Sequence, residues 1–408
     1  MNYLQVVRTY PRYIGFGYLH SFFSSLGQTF LFALFVPHIN ETFHLSAATS
    51  GGYYGVITIT SALLLLYSGS LIDTVNLRVY SSLVGIILGC GALLMGLAHQ
   101  LWLILLGMFL LRHFGQGLMT VTSSTSIARF FTANRGKALS LRGMGVATGE
   151  ALLPGLVAMG ILAVGWQQTY LLLGVACFIV FLPLSRWLVN RHDPFQHPDS
   201  MTQETVPHLP TQEELNWDRR QLLTNNYFWL LLPLTIAPAF FITGLFYHQA
   251  ALVAYQGWTM ALIASCFVAC GIGRVTGSIM AGPLVDRFGA TRVLPITLLP
   301  FMLGVATLLA GNSTLHAVVY LGLTGLGVGF GENAKGAMWA EVYGRRHLGA
   351  IKSLVGMVAV GSTAISPPLG GWLLDRGMSV GSLLWAIVIL CALASTLAVL
   401  AKPPHIKR

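Results

Sequence analysis

The sequence predicts an all-α membrane protein of twelve transmembrane helices arranged as two related six-helix bundles, and three observations carry that prediction. Only 9% of residues are charged against 55% hydrophobic, a profile of stacked apolar segments instead of one water-facing globule. Apolar windows of roughly 20 residues, each long enough to cross a hydrocarbon layer of ~30 Å, recur twelve times along the chain. Motifs in the first half also return at a fixed offset in the second.

The windows fall near 13–38, 48–68, 79–98, 101–128, 138–163, 166–188, 225–253, 258–281, 293–310, 314–339, 350–373 and 380–401. The first is too long for a signal peptide and lacks a small-residue cleavage site, so it reads as a retained span. Nineteen of the 23 Lys and Arg lie in the termini or in the loops after spans 2, 4, 6, 8 and 10, and only Arg376 falls on the opposite side. Basic residues near helix ends resist translocation, so both termini are expected to be cytoplasmic in a multi-pass protein of the plasma (inner) membrane. Topology thereby accounts for the net charge of +10, and no nucleic-acid partner is expected. Cys90, Cys177, Cys266, Cys270 and Cys391 all sit within spans and read as small apolar packing residues.

"GSLID" at 69–73 and "GPLVD" at 282–286 are 213 residues apart, each after an even-numbered span. The same offset carries "SLRGM" at 140–144 onto "SLVGM" at 353–357, Ala151 onto Ala364 and Pro154 onto Pro367. The halves are parallel repeats: an N-terminal six-helix bundle over 1–188 and a C-terminal one over 225–408. Residues 189–224 form the long polar stretch between them. There a capping box at Thr211 and Glu214 predicts a short cytoplasmic surface helix.

The second loop copy, "GPLVDRFGATR", resembles the cytoplasmic loop signature of the major facilitator superfamily, matching at Gly282, Leu284, Asp286, Arg287 and Gly289 with Arg292 beyond. Gly282 is expected to permit close helix approach, Asp286 to accept from backbone donors at a helix N-terminus, and Arg287 and Arg292 to clamp acids or helix C-termini. The resemblance implies a latch that holds the cytoplasmic face shut. The first copy keeps Gly69, Leu71, Asp73 and Arg78 but carries Thr74 and Asn76 where Arg and Gly are usual, so its latch is expected to be weaker.

Ionisable groups inside spans cost several kcal/mol unless paired or facing water, which makes them candidates for function. Arg112 and Glu150 lie ~25 Å and ~20 Å from the cytoplasmic ends of spans 4 and 5, counting about 1.5 Å per residue. A partly polar stripe of Gly115, Gln116, Met119 and Ser123 continues from Arg112, and Gly143, Ala147 and Pro154 form a small-residue face around Glu150. The two charges are expected to be close enough to interact, either as a static pair or as a coupling pair that substrate or a proton breaks. At the 213-residue offset they correspond to Gly325 and Thr363, so the shared scaffold does not demand them. "LRHFGQG" resembles the superfamily's helix 4 signature, which implies a coupling role in proton-driven members. "GEALLPG" departs from the antiport signature on helix 5, which counts against the familiar kind of drug:proton antiporter.

Arg274 lies about 18 Å into span 8, where a guanidinium offers a fork suited to carboxylate. Its place is similar to that of the arginine in monocarboxylate transporters and the oxalate:formate antiporter, which implies contact with a substrate carboxylate. The alternative is a pair with another helix, Glu332 being one partner. Glu332 and Lys335, three apart on span 10, can also pair along their own helix or serve coupling. His20 on span 1 and His248 on span 7 could titrate near neutral pH or simply pack. Gln28, Tyr247 and Tyr54 could supply uncharged hydrogen bonds.

No phosphate-binding loop, metal cluster or nucleophile constellation is apparent in the sequence, so neither enzyme chemistry, a cofactor nor a metal is expected. The expected function is a monomeric secondary transporter that moves a small organic anion, a carboxylate, by alternating access of two rocking bundles, with a proton or counter-substrate as its other partner. An exporter of a larger amphipathic compound is the alternative.

Overall fold

The computed structural model describes residues 3–131, 135–189, 217, 219–344 and 348–404. The capping box at Thr211 and Glu214 lies outside the described residues. Among the described residues the structure is all-helical, and eleven helices are long and apolar enough to cross a membrane. In chain order they follow a first segment, α1, treated below. They are α2 (Ala47–Asp73), α3 (Leu77–Leu97), α4 (Leu101–Phe130), α5 (Gly136–Val164), α6 (Trp166–Leu188), α7 (Asn226–Tyr247), α8 (Met260–Phe288), α9 (Ala290–Ala310), α10 (Thr314–Tyr343), α11 (Leu354–Asp375) and α12 (Val380–Leu400).

Short polar residues set several boundaries. Asn76 begins α3 by accepting from the Arg78 backbone N–H at 2.9 Å, and Thr259 and Ser379 do the same for α8 and α12. A side-chain oxygen at such a position takes one of the backbone donors that a helix start leaves open. Between α8 and α9 the chain turns at Gly289, whose φ of +82° suits a residue without a Cβ.

The sequence expectation of a continuous first span is corrected by the structure. α1 is helical over Pro11–Phe23, tightens into a 3₁₀ turn over Ser24–Gly27, and is extended at Gln28. It resumes over Thr29–Phe32 and Val36–Phe43. The break has a packing cause: a Cβ on Gly27 would collide with the carbonyl of Leu111 and the amide of Gln116. α4 yields at the same level, since Leu111–Met119 is wound as a π-helix, an insertion that often marks a functional site. Two irregular backbones thus touch where neither would fit as a regular helix with side chains at the contact.

By their contacts the residues form two compact units, Met1–Leu45 with Val56–His208, and Ser46–Gly55 with Leu209–Arg408. The first is organised by α1 against α4 and α5. Gly145 and Gly149 of α5 abut the Tyr18 carbonyl and the Ser25 hydroxyl of α1. The expected small-residue face at Gly143 is displaced by this one, for a Cβ at Gly143 meets nothing within 4 Å among the described residues. The second unit is organised by α8 against α10, whose backbones touch at Gly273, Gly277, Gly325 and Gly329. Such small-residue contacts let helices approach closely where lipid offers no hydrophobic drive.

Candidate functional site

In the first unit, Arg112 is 4% exposed and Glu150 5% exposed. The π-helical turn of α4 carries Arg112 towards the break in α1, where its Nη1 donates to the Gly27 carbonyl at 3.3 Å and to Thr29 Oγ1 at 3.4 Å. An arginine so placed uses carbonyl and hydroxyl acceptors that the irregular backbone exposes. Gly149, next to Glu150, packs on Ser25 of the same break, so α4 and α5 both bring their charged residue's neighbourhood to Ser24–Gln28. Gln28 is partly buried at the break itself.

His20 is fully buried: its Nδ1 lies 2.9 Å from the Phe16 carbonyl and its ring is enclosed by Phe16 and Phe181. A different histidine, which sequence reasoning passed over, is more richly bonded. His113, 3% exposed, has its Nδ1 3.2 Å from both the hydroxyl and the carbonyl of Ser61 and its Nε2 3.0 Å from Ser68 Oγ. Its neighbour Arg112 was one available signal. A seven-residue serine spacing on span 2 was another.

In the second unit, Arg274 Nη2 donates to Glu332 Oε1 at 2.8 Å. The pair joins α8 to α10 directly above the glycine contact, because the Cβ of Gly329 would collide with the Arg274 carbonyl. With no room for side chains between the backbones, both charged groups emerge at one edge, the Arg274 side chain 20% exposed and that of Glu332 54%. Of the partners weighed from the sequence, Arg274 therefore engages Glu332. Lys335 stands one turn further along α10, and Asn333 Nδ2 reaches the Ser278 carbonyl of α8 at 3.1 Å.

Tyr247 is buried with its ring 4.8 Å from that of Tyr54. His248 interrupts the helix after Tyr247 and places its Nε2 2.7 Å from the Pro367 carbonyl. Beyond it, Gln249 is 2% exposed, and neither its amide nitrogen nor its amide oxygen has a hydrogen-bond partner among the described residues.

The two loop motifs are built differently. In the first unit, Asp73 is gripped by Arg129 at the end of α4, which also reaches the Ile72 carbonyl; Arg78 contributes its backbone N–H, accepted by Asn76. In the second, the acceptor at a helix start is Glu341 of α10, where the sequence pointed to Asp286. Glu341 takes the Ala290 N–H at 2.8 Å and the Thr291 hydroxyl at 3.3 Å. Asp286 and Arg292 are exposed, and Arg287 lies over the Phe288 ring. Gly282, expected at a close approach, has nothing within 4 Å of its Cβ position among the described residues. At offset 213, Glu341 corresponds to Ala128 and Arg129 to Val342, so each half has placed its own polar residue near one end of an equivalent helix.

Comparison with known proteins agrees with this architecture. The family model described as Major Facilitator Superfamily matches residues 18–273 and 239–408. Multidrug resistance protein MdtH of Aeromonas salmonicida (strain A449) is 27% identical over 156 residues, 38% of each chain. The Multidrug resistance protein B homolog of Mycobacterium tuberculosis (strain CDC 1551 / Oshkosh) is 29% identical over 126 residues, 31% of this chain and 23% of that one. The chain spans less than two fifths of the length of these curated relatives. Among solved structures, a bacterial homolog to the human lysosomal transporter Spinster, inward-facing and unoccupied, superposes with a TM-score of 0.68 at 17% identity. That match covers 95% of this chain and 96% of the other and speaks for the fold. The chain belongs to the major facilitator superfamily, a family of multi-pass membrane transporters.

Proposed function

We propose that this superfamily member is a secondary transporter of a small organic anion, a carboxylate, working by alternating access and driven by a proton gradient or by exchange. The observation that carries the proposal is the Arg274–Glu332 pair. Arg274 already holds a carboxylate at charge-assisted hydrogen-bond distance, and that carboxylate belongs to a side chain more than half exposed. Charges at such depth are too costly to face hydrocarbon, so the exposed edge is assigned to water. An incoming carboxylate would replace Glu332 on the same fork. With Lys335 one turn away, the trio carries a net charge of +1, suited to a monoanion.

In this reading Arg112 and Glu150 form the substrate- or proton-sensitive element of the first unit, with Gln28 at its edge. Tyr247 and His248 provide uncharged contacts in the second. Gly69, Asp73, Arg78, Gly282, Asp286, Arg287 and Arg292 belong to the gating loops. The test is a thermal-shift screen of small carboxylates on the purified protein. Arg274→Ala should abolish the shift given by a true substrate, while Glu332→Gln, which removes the competitor, should keep or enlarge it. Unchanged anion binding by Arg274→Ala would remove the reading. The relatives named as multidrug resistance proteins support a second reading, export of a larger amphipathic compound. Binding of hydrophobic drugs that is indifferent to Arg274→Ala would select it.

A further inference from the structure

We infer that His113 is a proton-binding site, taking up a proton at its imidazole through Ser68 and holding it against Ser61. The inference deepens the proton-driven form of the transport reading and rests on it. Among the histidines of the spans, His20, His113 and His248 have surroundings that differ in kind. His20 Nε2 has no hydrogen-bond partner among the described residues and the ring sits between two phenylalanines, so a second N–H there would be buried bare, which is unfavourable. His248 bonds a single backbone carbonyl through Nε2. His113 has oxygen partners at both nitrogens.

Those partners accommodate every protonation state. Ser68 Oγ also lies 2.9 Å from the Leu64 carbonyl, to which it donates, so its lone pairs are available to an Nε2–H. At the other nitrogen, the Ser61 hydroxyl can donate to a bare Nδ1, and the Ser61 carbonyl can accept from Nδ1–H. Binding a proton therefore forms imidazolium with an oxygen acceptor at each N–H. The Phe109 ring lies nearly parallel to the imidazole at 5.5 Å and Phe114 meets it edge-on at 5.1 Å; the stacked face favours the cationic form.

Depth gives the site a direction. Ser61 and Ser68 are seven residues apart on α2, about 10 Å along the helix, and His113 of α4 spans the interval. Ser68 is the outer member, part-exposed and five residues before Asp73; Ser61 is buried. The imidazole thus connects a hydroxyl near the basic-loop end to a buried one. The other titratable or charged groups near it are Tyr80 of α3, whose hydroxyl donates to the Ser68 carbonyl at 3.0 Å, Asp73, already held by Arg129, and Arg112 on its own helix, directed at α1. A positive charge gained at His113 lies one residue from Arg112 within the same π-helical turn, the turn that clasps the break in α1.

The test uses full-length protein in lipid nanodiscs with ¹⁵N-labelled histidine. The His113 ring signals, identified by their loss in His113→Gln, should pass from the neutral to the charged form as the pH is lowered. In Ser68→Ala the midpoint should fall, because the charged form loses an acceptor. Ring signals that stay neutral throughout, or a midpoint indifferent to Ser68→Ala, would overturn the proposal. In proteoliposomes, with an anion whose binding needs Arg274, His113→Gln should keep exchange at equal pH and lose uptake driven by a pH gradient; an intact gradient response would overturn the coupling role. If no anion binds, the organic-anion reading fails while the titration still decides His113.

Discussion

The two units house an intramembrane arginine in opposite ways. Around Arg112 the helices deform: α1 breaks, α4 widens, and the guanidinium is sealed in at 4% exposure against backbone and hydroxyl oxygens. Around Arg274 the helices stay regular: α8 and α10 press glycine against backbone, and the guanidinium emerges at their edge on an exposed carboxylate. Irregular backbone is tolerated at membrane depth only where its freed groups find partners, which ties Arg112 to the integrity of its unit. Arg274 instead meets an exposed carboxylate at an edge, and its proposed role is to exchange that partner for a ligand.

The strongest way to break this contrast is to attack the glycine contact. Gly325→Ile should cost about 3 kcal/mol through overpacking, because its Cβ already collides with the Cys270 carbonyl. A lowered melting temperature in detergent would register it, whereas Gly336→Ala, whose Cβ meets nothing within 4 Å among the described residues, should melt as wild type. Next in size, Arg112→Met should destabilise by about 2 kcal/mol, since the buried Gly27 carbonyl and Thr29 hydroxyl each lose the hydrogen bond from Nη1. Arg274→Gln should change the melting temperature little and anion binding greatly. Equal losses of stability in the two arginine variants would dissolve the distinction between them. The smallest effects belong to the loops. Glu341→Ala removes a helix-start acceptor, at about 1 kcal/mol, and Asp73→Asn weakens an exposed ion pair, at less than about 1 kcal/mol. Hydrogen exchange should show faster opening at Ala290 in the former and at the α2–α3 turn in the latter.

How much of this was legible beforehand follows from the kind of interaction concerned. Spans 2 to 12 could be read because each is a long apolar window, a property local to its own residues. The charges at Arg112, Glu150, Arg274 and Glu332 stood out because ionisable groups are rare in such windows. The break at Gln28 was hidden, since "SSLGQTF" carries no proline and one glycine, and its cause is a neighbour's backbone at Leu111. Glu341 was hidden as well: the loop signature drew attention to Asp286, and only the packing of α9 on α10 brings the Ala290 N–H to a carboxylate 51 residues later. His113 was passed over because its partners, serines at both of its nitrogens, come from α2.

By itself the sequence determined that this chain is a duplicated twelve-span membrane protein carrying a handful of intramembrane charges, because hydrophobic length, repeat offset and charge rarity are written residue by residue. The tertiary structure decided which arginine is buried against backbone oxygens and which meets an exposed carboxylate, where a helix breaks, and which histidine has oxygen partners at both ring nitrogens. Those outcomes depend on partners brought from other helices, and a hydrogen bond or a backbone collision has no meaning until both sides are in place.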